Sequence, residues 1–211
     1  MKNYIIYTLF LGMSFLSANA QVFESSKHYV SIGYGYGSSA QTMLRTTTPA
    51  LTDDVDIKAS FLGPVFLKYE YGIKDNYGIG INVAHTSGTI NYNFNSIYTS
   101  DSSALLKEKG KWSSTTFLLR FNYHFAKGDR IDPYIGMGVG YRKDSWKVES
   151  NDPDPERDYL SSPSTSILVF SQKYAIDMTI GSRFMFTEKI GAYVEVGIAK
   201  AVIQGGLTAK F

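Results

Sequence analysis

Segments of about ten residues in which apolar and polar side chains alternate run from residue 29 to the C-terminus. Alternation with a period of two is typical of β-strands, and this length is what a tilted strand needs to cross a bilayer. After the first twenty residues, no stretch approaches the roughly 18 continuous apolar residues of a transmembrane helix. Such a chain can span lipid only as a closed barrel, because every backbone polar group in lipid must be paired.

Eight alternating segments can be counted, and they predict an all-β fold, a closed antiparallel up-and-down transmembrane barrel of eight strands. In the clearest segment, Arg120 and His124 fall between the apolar residues Phe117, Leu119, Phe121, Tyr123 and Phe125. The apolar faces of the other segments span 30–36, 65–71, 79–83, 135–141, 178–186, 192–198 and 203–211. We expect the apolar faces to contact lipid and the polar faces to line the lumen, because charge in lipid is costly.

Short and long spacers separate the predicted strands in strict alternation. The short ones lie at 74–76, 126–129 and 187–189, and the long ones at 38–60, 88–114 and 142–172. The last spacer, near Lys200, is tight although it lies on the long side. Outer-membrane barrels have tight periplasmic turns and long extracellular loops, so both termini are predicted in the periplasm. The spacer 38–60 is long enough to contain a short strand or helix. Thr89–Phe94 is expected to extend the third strand, and Ser166–Phe170 can extend the sixth strand.

The first twenty residues have the pattern of a secretory signal peptide. Lys2 supplies a positive charge, residues 4–16 are mostly apolar, and Ala18-Asn19-Ala20 matches a small-x-small cleavage site. The apolar run is too short for a membrane-spanning helix, which needs about 20 residues. We therefore expect export, cleavage after Ala20 and one barrel domain over 21–211.

Composition excludes several classes of function. The chain has no cysteine, which excludes thiol catalysis, cysteine-based metal sites and attachment of lipid at a cysteine. Removal of Lys2 with the signal peptide would leave 20 basic against 19 acidic residues, a net charge of +1. That balance gives no reason to expect a nucleic-acid partner. We also expect no metal and no cofactor.

A soluble lipocalin-like barrel is the alternative fold, and it reverses the two faces. Its interior would be apolar, and the charged side chains would face water. Two features favour the membrane barrel: the large apolar side chains at 117–125, and a glycine-rich polar face at Gly33, Gly35, Gly136, Gly138 and Gly140, as expected of a crowded lumen.

Two segments resemble the small outer-membrane barrel superfamily, which includes OmpX-like, OmpW-like and OmpA transmembrane-domain proteins. The segment Asp132–Tyr141 (DPYIGMGVGY) resembles that group's fifth strand, and Gln204–Phe211 (QGGLTAKF) resembles its closing strand. The resemblance implies a location in the bacterial outer membrane. It also implies that Phe211 belongs to the signal read by the barrel-assembly machinery. It implies no single activity, because members include adhesion and permeation proteins.

The polar faces carry charges that would share a narrow lumen. They are Lys68, Glu70, Arg120, His124, Asp177, Arg183, Glu195 and Lys210. Eight strands enclose just enough space for side chains to fill it, and buried charges must pair or be hydrated. We expect these residues to form an ion-pair network that largely plugs the lumen. A narrow channel for ions or small solutes is the alternative.

His85 and Ser87 form the only candidate for catalysis. A His-x-Ser pair on the lipid face resembles the lipid A deacylases of the PagL type, in which a neighbouring acid orients the histidine. The adjacent predicted strands offer no outward acid, and a polar rim explains both residues equally well. We therefore predict a non-enzymatic barrel, with a lipid A-modifying enzyme as the alternative.

The remaining predictions concern the outer parts of the barrel. The acidic run Asn151–Asp158 is expected to be a solvated loop tip, with a Ca²⁺ site as the alternative, and Trp146 and Tyr159 beside it can instead mark an adhesive loop. Interfacial aromatic girdles are expected from Tyr71, Tyr92, Trp112, Tyr123, Tyr141 and Tyr174. The predicted function is a structural or surface-interaction role for a monomer whose partners are outer-membrane lipid and lipopolysaccharide. The extracellular partner is left open.

Overall fold

Eight strands form one closed sheet in a computed structural model of the chain. The structure describes residues 21–37, 55–95, 105–125, 128–150 and 173–211. The strands are β1 (His28–Tyr36), β2 (Val55–Lys74), β3 (Tyr77–Asn95), β4 (Leu105–His124), β5 (Ile131–Ser150), β6 (Tyr174–Met185), β7 (Ile190–Ile198) and β8 (Ile203–Lys210). Each strand pairs antiparallel with the next, and β1 pairs with β8. The predicted closed eight-stranded barrel is confirmed.

The apolar faces of the strands point outward and the polar faces point inward. On β4, Phe117 is 52% exposed and Arg120 is 4% exposed. On β7, Val194 is 42% exposed and Glu195 is 2% exposed. A lipocalin-like barrel requires the opposite arrangement, so the soluble alternative is wrong. No helix among the described residues is long and apolar enough to cross a membrane.

Four consecutive strands are about twice as long as the other four. Strands β2 to β5 have 19 or 20 residues, whereas β1, β6, β7 and β8 have 8 to 12. About 9–11 residues suffice to cross a membrane. The excess lies at the end of the barrel away from the termini. It comprises residues 55–62, 87–95, 105–115 and 142–150, which we call the projecting sheet.

The projecting sheet corrects the predicted boundaries of the long spacers. Strand β2 begins at Val55, β3 continues to Asn95, β4 begins at Leu105 and β5 continues to Ser150. The predicted extension of the third strand through 89–94 is confirmed. Beyond the lipid, the outward side chains can be polar, so the apolar alternation that reveals a strand is lost. The predicted extension at 166–170 lies outside the described residues, as do the first twenty.

Five of the six predicted girdle residues can be placed. Tyr71 on β2 and Tyr123 on β4 are half-buried on the outer surface. Tyr141 and Tyr174 are exposed on the outer surface. The prediction for Trp112 is wrong, because its side chain is buried and shares the inward face of β4 with Arg120. The period of two fixes this direction, since the two residues are eight apart on one strand. The side chain of Tyr92 lies outside the described part.

Candidate functional site in the barrel lumen

All eight charged residues predicted for the lumen are buried, with at most 9% of any residue exposed. They come from β2, β4, β6, β7 and β8: Lys68, Glu70, Arg120, His124, Asp177, Arg183, Glu195 and Lys210. The structure brings them together as a central cluster, a second cluster nearer the termini, and Lys210 beside the N-terminal residues.

The central cluster is built around the carboxylate of Glu195. Its Oε1 lies 2.7 Å from Lys68 Nζ, and its Oε2 lies 3.0 Å from Arg120 Nη2. The same carboxylate accepts hydrogen bonds from Tyr134, Thr179 and Gln204. Arg120 Nη1 also lies 3.5 Å from Asp177 Oδ2. Two cations and two carboxylates thus balance in the middle of the lumen.

The second cluster is a ring of four groups. His124 Nε2 lies 2.9 Å from Glu70 Oε1, and His124 Nδ1 lies 2.8 Å from Asp132 Oδ1. Arg183 faces the same two carboxylates, at 2.6 Å from Glu70 Oε2 and 3.6 Å from Asp132 Oδ2. Both nitrogens of His124 face carboxylate oxygens, and the imidazolium is the form of the ring that donates to both. Two positive and two negative groups balance here as well.

Glycines on β5 make room for the charged side chains. A Cβ atom on Gly136 would lie 2.1 Å from Arg120 Nη2, and one on Gly138 would lie 2.7 Å from Asp177 Oδ1. Any larger residue at these two positions would therefore displace an ion pair. The glycine-rich inward face follows from the crowding of the lumen.

A small cavity separates the two clusters. It has about 20 Å³ of space for the centres of water molecules, and its lining includes Lys68, Glu70, Arg120, Arg183 and Glu195. Buried oxygens of Asn82, Asp177 and Gln204 have no hydrogen-bond partner among the described residues. A polar cavity of this size has room for about one water molecule. None of these three oxygens belongs to a residue that lines it.

Residues 21–24, which we call the N-terminal segment, lie across the end of the barrel that holds the termini. Val22 and Phe23 are buried, and the Phe23 ring stacks on His124 at a centroid distance of 3.5 Å. The backbone N–H of Val22 donates a hydrogen bond to Gly128 O, and the Tyr29 hydroxyl donates one to Val22 O. Lys210 Nζ donates hydrogen bonds to Gln21 O at 2.8 Å and to Glu24 Oε1 at 2.9 Å.

Lys200 reaches into the opposite end of the lumen from the β7–β8 turn. Its ammonium group donates to Ser114 O, Ser114 Oγ and Thr116 Oγ1, at 2.8, 3.0 and 2.9 Å. Burial, followed by the nearby positive charge of Arg142, lowers the pKa of Lys200 to about 7. Next to Lys200 in the chain, Ala201 forms a small apolar cluster with Phe66 and Ala84.

The candidate catalytic pair does not form a triad. His85 Nδ1 lies 2.9 Å from Thr115 Oγ1 on the outer surface. The residues directly opposite His85 on the adjacent strands are Val65 and Thr115, and those opposite Ser87 are Leu62 and Ser113. None of these four is an acid that could orient the histidine.

Several residues of the lumen were not predicted from the sequence. Asp132 lies on the inward face of β5, and its alternation with Tyr134 and Gly136 is the signal that could have identified it. The N-terminal segment and Lys200 are not on strands, so alternation gives no sign of them. The acidic run 151–158 and Tyr159 lie outside the described residues. Trp146, which pairs with Trp112, is half-buried on β5.

The chain was compared with known proteins. The solved structures that it resembles include the N-terminal β-barrel domain of OprF from Pseudomonas aeruginosa, with 11% identity, a TM-score of 0.42, and coverage of 89% of this chain and 98% of that chain. OprG from Pseudomonas aeruginosa has 13% identity, a TM-score of 0.45, and coverage of 91% and 99%. Ail from Yersinia pestis has 13% identity, a TM-score of 0.34, and coverage of 89% and 100%.

No curated protein matches the chain. The model of the outer membrane protein β-barrel domain family matches residues 8–201, which is most of the sequence. The closed eight-stranded barrel, its apolar outer surface and its charged interior agree with that match. The chain therefore belongs to the outer membrane protein β-barrel domain family.

Proposed function

We propose that the protein is a non-enzymatic, monomeric outer-membrane barrel whose lumen is closed and whose projecting sheet makes contacts outside the cell. The main observation behind this proposal is the length of strands β2 to β5. These strands have 19 or 20 residues where about 9–11 would span the membrane. The projecting sheet lies opposite the termini and the short turns, which belong in the periplasm in such barrels.

The two charge clusters and the N-terminal segment support a closed lumen. The central cluster fills the middle of the barrel with side chains that bond one another across it, as between Lys68 on β2 and Glu195 on β7. The stacked rings of Phe23 and His124 lie across the periplasmic end. Eight-stranded barrels are generally filled by side chains, in contrast to the 16-stranded porins.

Maturation and assembly are part of the proposal. Cleavage after Ala20 would make Gln21 the first residue of the segment that lies across the barrel end, and the intact mass of the purified protein checks this. Phe211 is exposed beyond β8, where the barrel-assembly machinery can bind it. Deletion of Phe211 should reduce the amount of folded barrel in the outer membrane.

Conductance in planar bilayers tests the closed lumen. The purified wild-type protein should show no large, stable conductance. If a narrow channel is the function, small conductance will appear and will change with Arg120→Ala but not with Lys143→Ala on the outer wall. A large, stable conductance of the wild type would contradict the proposal.

The absence of an acid opposite His85 and Ser87 supports a non-enzymatic role. Cells that overproduce the protein should therefore retain fully acylated lipid A. Deacylated lipid A that disappears in the Ser87→Ala variant would show that the barrel is an enzyme.

A further inference from the structure

One face of the projecting sheet is rich in lysine. Side chains alternate along a strand, so Lys107, Lys109 and Lys111 share the outward face of β4. Antiparallel pairing of β4 with β5 places Lys143 and Lys147 on the same face. We call these five residues the lysine face. Glu149 is the only acid among the described side chains on this face of the two strands.

The described acid on the lysine face, Glu149, pairs with Lys111. Lys111 lies directly opposite Lys147, and like charges opposite each other destabilise a sheet. Glu149 accepts a hydrogen bond from Lys111 at 2.5 Å. This bond, and then the charges of Lys111, Lys109 and Lys147, lower the pKa of the Glu149 carboxyl. A cross-strand lysine pair in a positive field fits a surface that receives an anion.

The lysine face begins at the upper edge of the apolar belt. Phe117 and Tyr141 form the last outward apolar pair of β4 and β5, and Lys143 follows Tyr141 by two residues. With about 3.3 Å per residue and a tilt of roughly 40°, Lys143 lies about 5 Å above that pair. Lys111 and Lys147 then lie about 15 Å above it. The side chains point sideways over the lipid.

We propose that the lysine face binds the phosphate groups of the lipopolysaccharide molecules that surround the barrel. The proposal rests on the orientation given under the proposed function and names the partner of the outward surface. The outer leaflet places phosphates at the height of Lys143 and phosphorylated core sugars above them. A charged face that begins at the lipid and points sideways meets these groups, whereas a soluble polyanion would approach from above.

Equilibrium binding of purified rough-type lipopolysaccharide to the folded, mature protein in detergent tests the proposal. The test variant is Lys111→Gln/Lys143→Gln/Lys147→Gln. The matched control is Lys27→Gln/Lys74→Gln/Lys189→Gln, which removes three exposed lysines from the opposite end. At roughly fivefold per lysine near an anionic surface, the test variant should lose about 100-fold in affinity. The control should bind like the wild type.

Three other outcomes of the binding experiment would each contradict a different claim. If both variants bind like the wild type, the lysine face is not the site, and the proposed function is unaffected. If the control loses affinity and the test variant does not, the orientation in the proposed function is wrong. If lipopolysaccharide stripped of phosphate binds the wild type equally well, phosphate is not the ligand. Circular dichroism of both variants establishes that the barrel is folded.

Discussion

Glu195 shows how a charge is kept inside a membrane barrel. Its two oxygens are shared by Lys68 and Arg120, and uncharged donors occupy the remaining directions. Several kcal/mol are lost when a charge leaves water, and only good geometry with full hydrogen bonding offsets that loss. The surrounding donors therefore matter as much as the two ion pairs.

The Glu195→Gln variant tests this account of the central cluster. It keeps the shape of the side chain and leaves Lys68 and Arg120 without their shared carboxylate. Removing one partner of a buried ion pair costs about 3–5 kcal/mol, so the free energy of unfolding in urea and detergent should fall by about that amount. Glu149→Gln, which removes an exposed ion pair of the projecting sheet, serves as the control and should lower the free energy of unfolding much less, because exposed ion pairs contribute little to stability. Equal stability of both variants with the wild type would contradict the account.

Residues on strands could be assigned to the lumen from the sequence, and residues elsewhere could not. Arg120 and Glu195 alternate with large apolar residues, which fixes their direction once the apolar face is assigned to lipid. Phe23 and Lys200 reach the lumen from outside the strands, so no periodicity indicates them. The contact between His124 on β4 and Asp132 on β5 depends on the register of these two strands, which alternation within one strand does not determine.

The four long strands differ in their surroundings above the membrane. Strand β4 pairs on both sides along most of its length, with β3 and with β5. The pairing of β5 with β6 stops at Tyr141 and Tyr174, so residues 143–150 pair only with β4 among the described part of the chain. The projecting sheet thus has a protected centre and an edge.

Hydrogen exchange should reveal this difference within the projecting sheet. Backbone amides at 109–115 on β4 should exchange slowly, because strands bond them from both sides. On β5, amides at 143–149 should include a fast-exchanging set, since one side of that strand lacks a partner among the described residues. Fast exchange throughout 109–115 would show that the projecting sheet is not formed.

The sequence predicted the membrane half of the long strands better than the projecting half. Within lipid, Phe117 to Phe125 must alternate with polar residues, because one face meets hydrocarbon. In 107–115 of the same strand, the outward residues are lysine, serine and threonine, and the apolar alternation is absent. Pairing with β3 and β5 makes this segment a strand, and such long-range pairing leaves no local pattern.

The whole molecule is arranged in layers along the barrel axis. The N-terminal segment and the second cluster, which contains His124, lie at one end. The central cluster lies in the middle, and Lys200 lies at the far end beneath the projecting sheet. This order agrees with the proposed role, in which the lumen is closed and the contacts are made outside. It also predicts which end of the barrel an external reagent can reach.

Labelling of single cysteines on intact cells tests the orientation of the barrel, on which the proposed function depends. The chain has no cysteine of its own, so each introduced thiol is unique. Ser145→Cys lies on the exposed outward face of the projecting sheet, and Glu188→Cys lies in the short turn between β6 and β7. A membrane-impermeant maleimide should label the Ser145→Cys variant on intact cells and the Glu188→Cys variant only after the outer membrane is permeabilised. Labelling of the Glu188→Cys variant alone on intact cells would contradict the account.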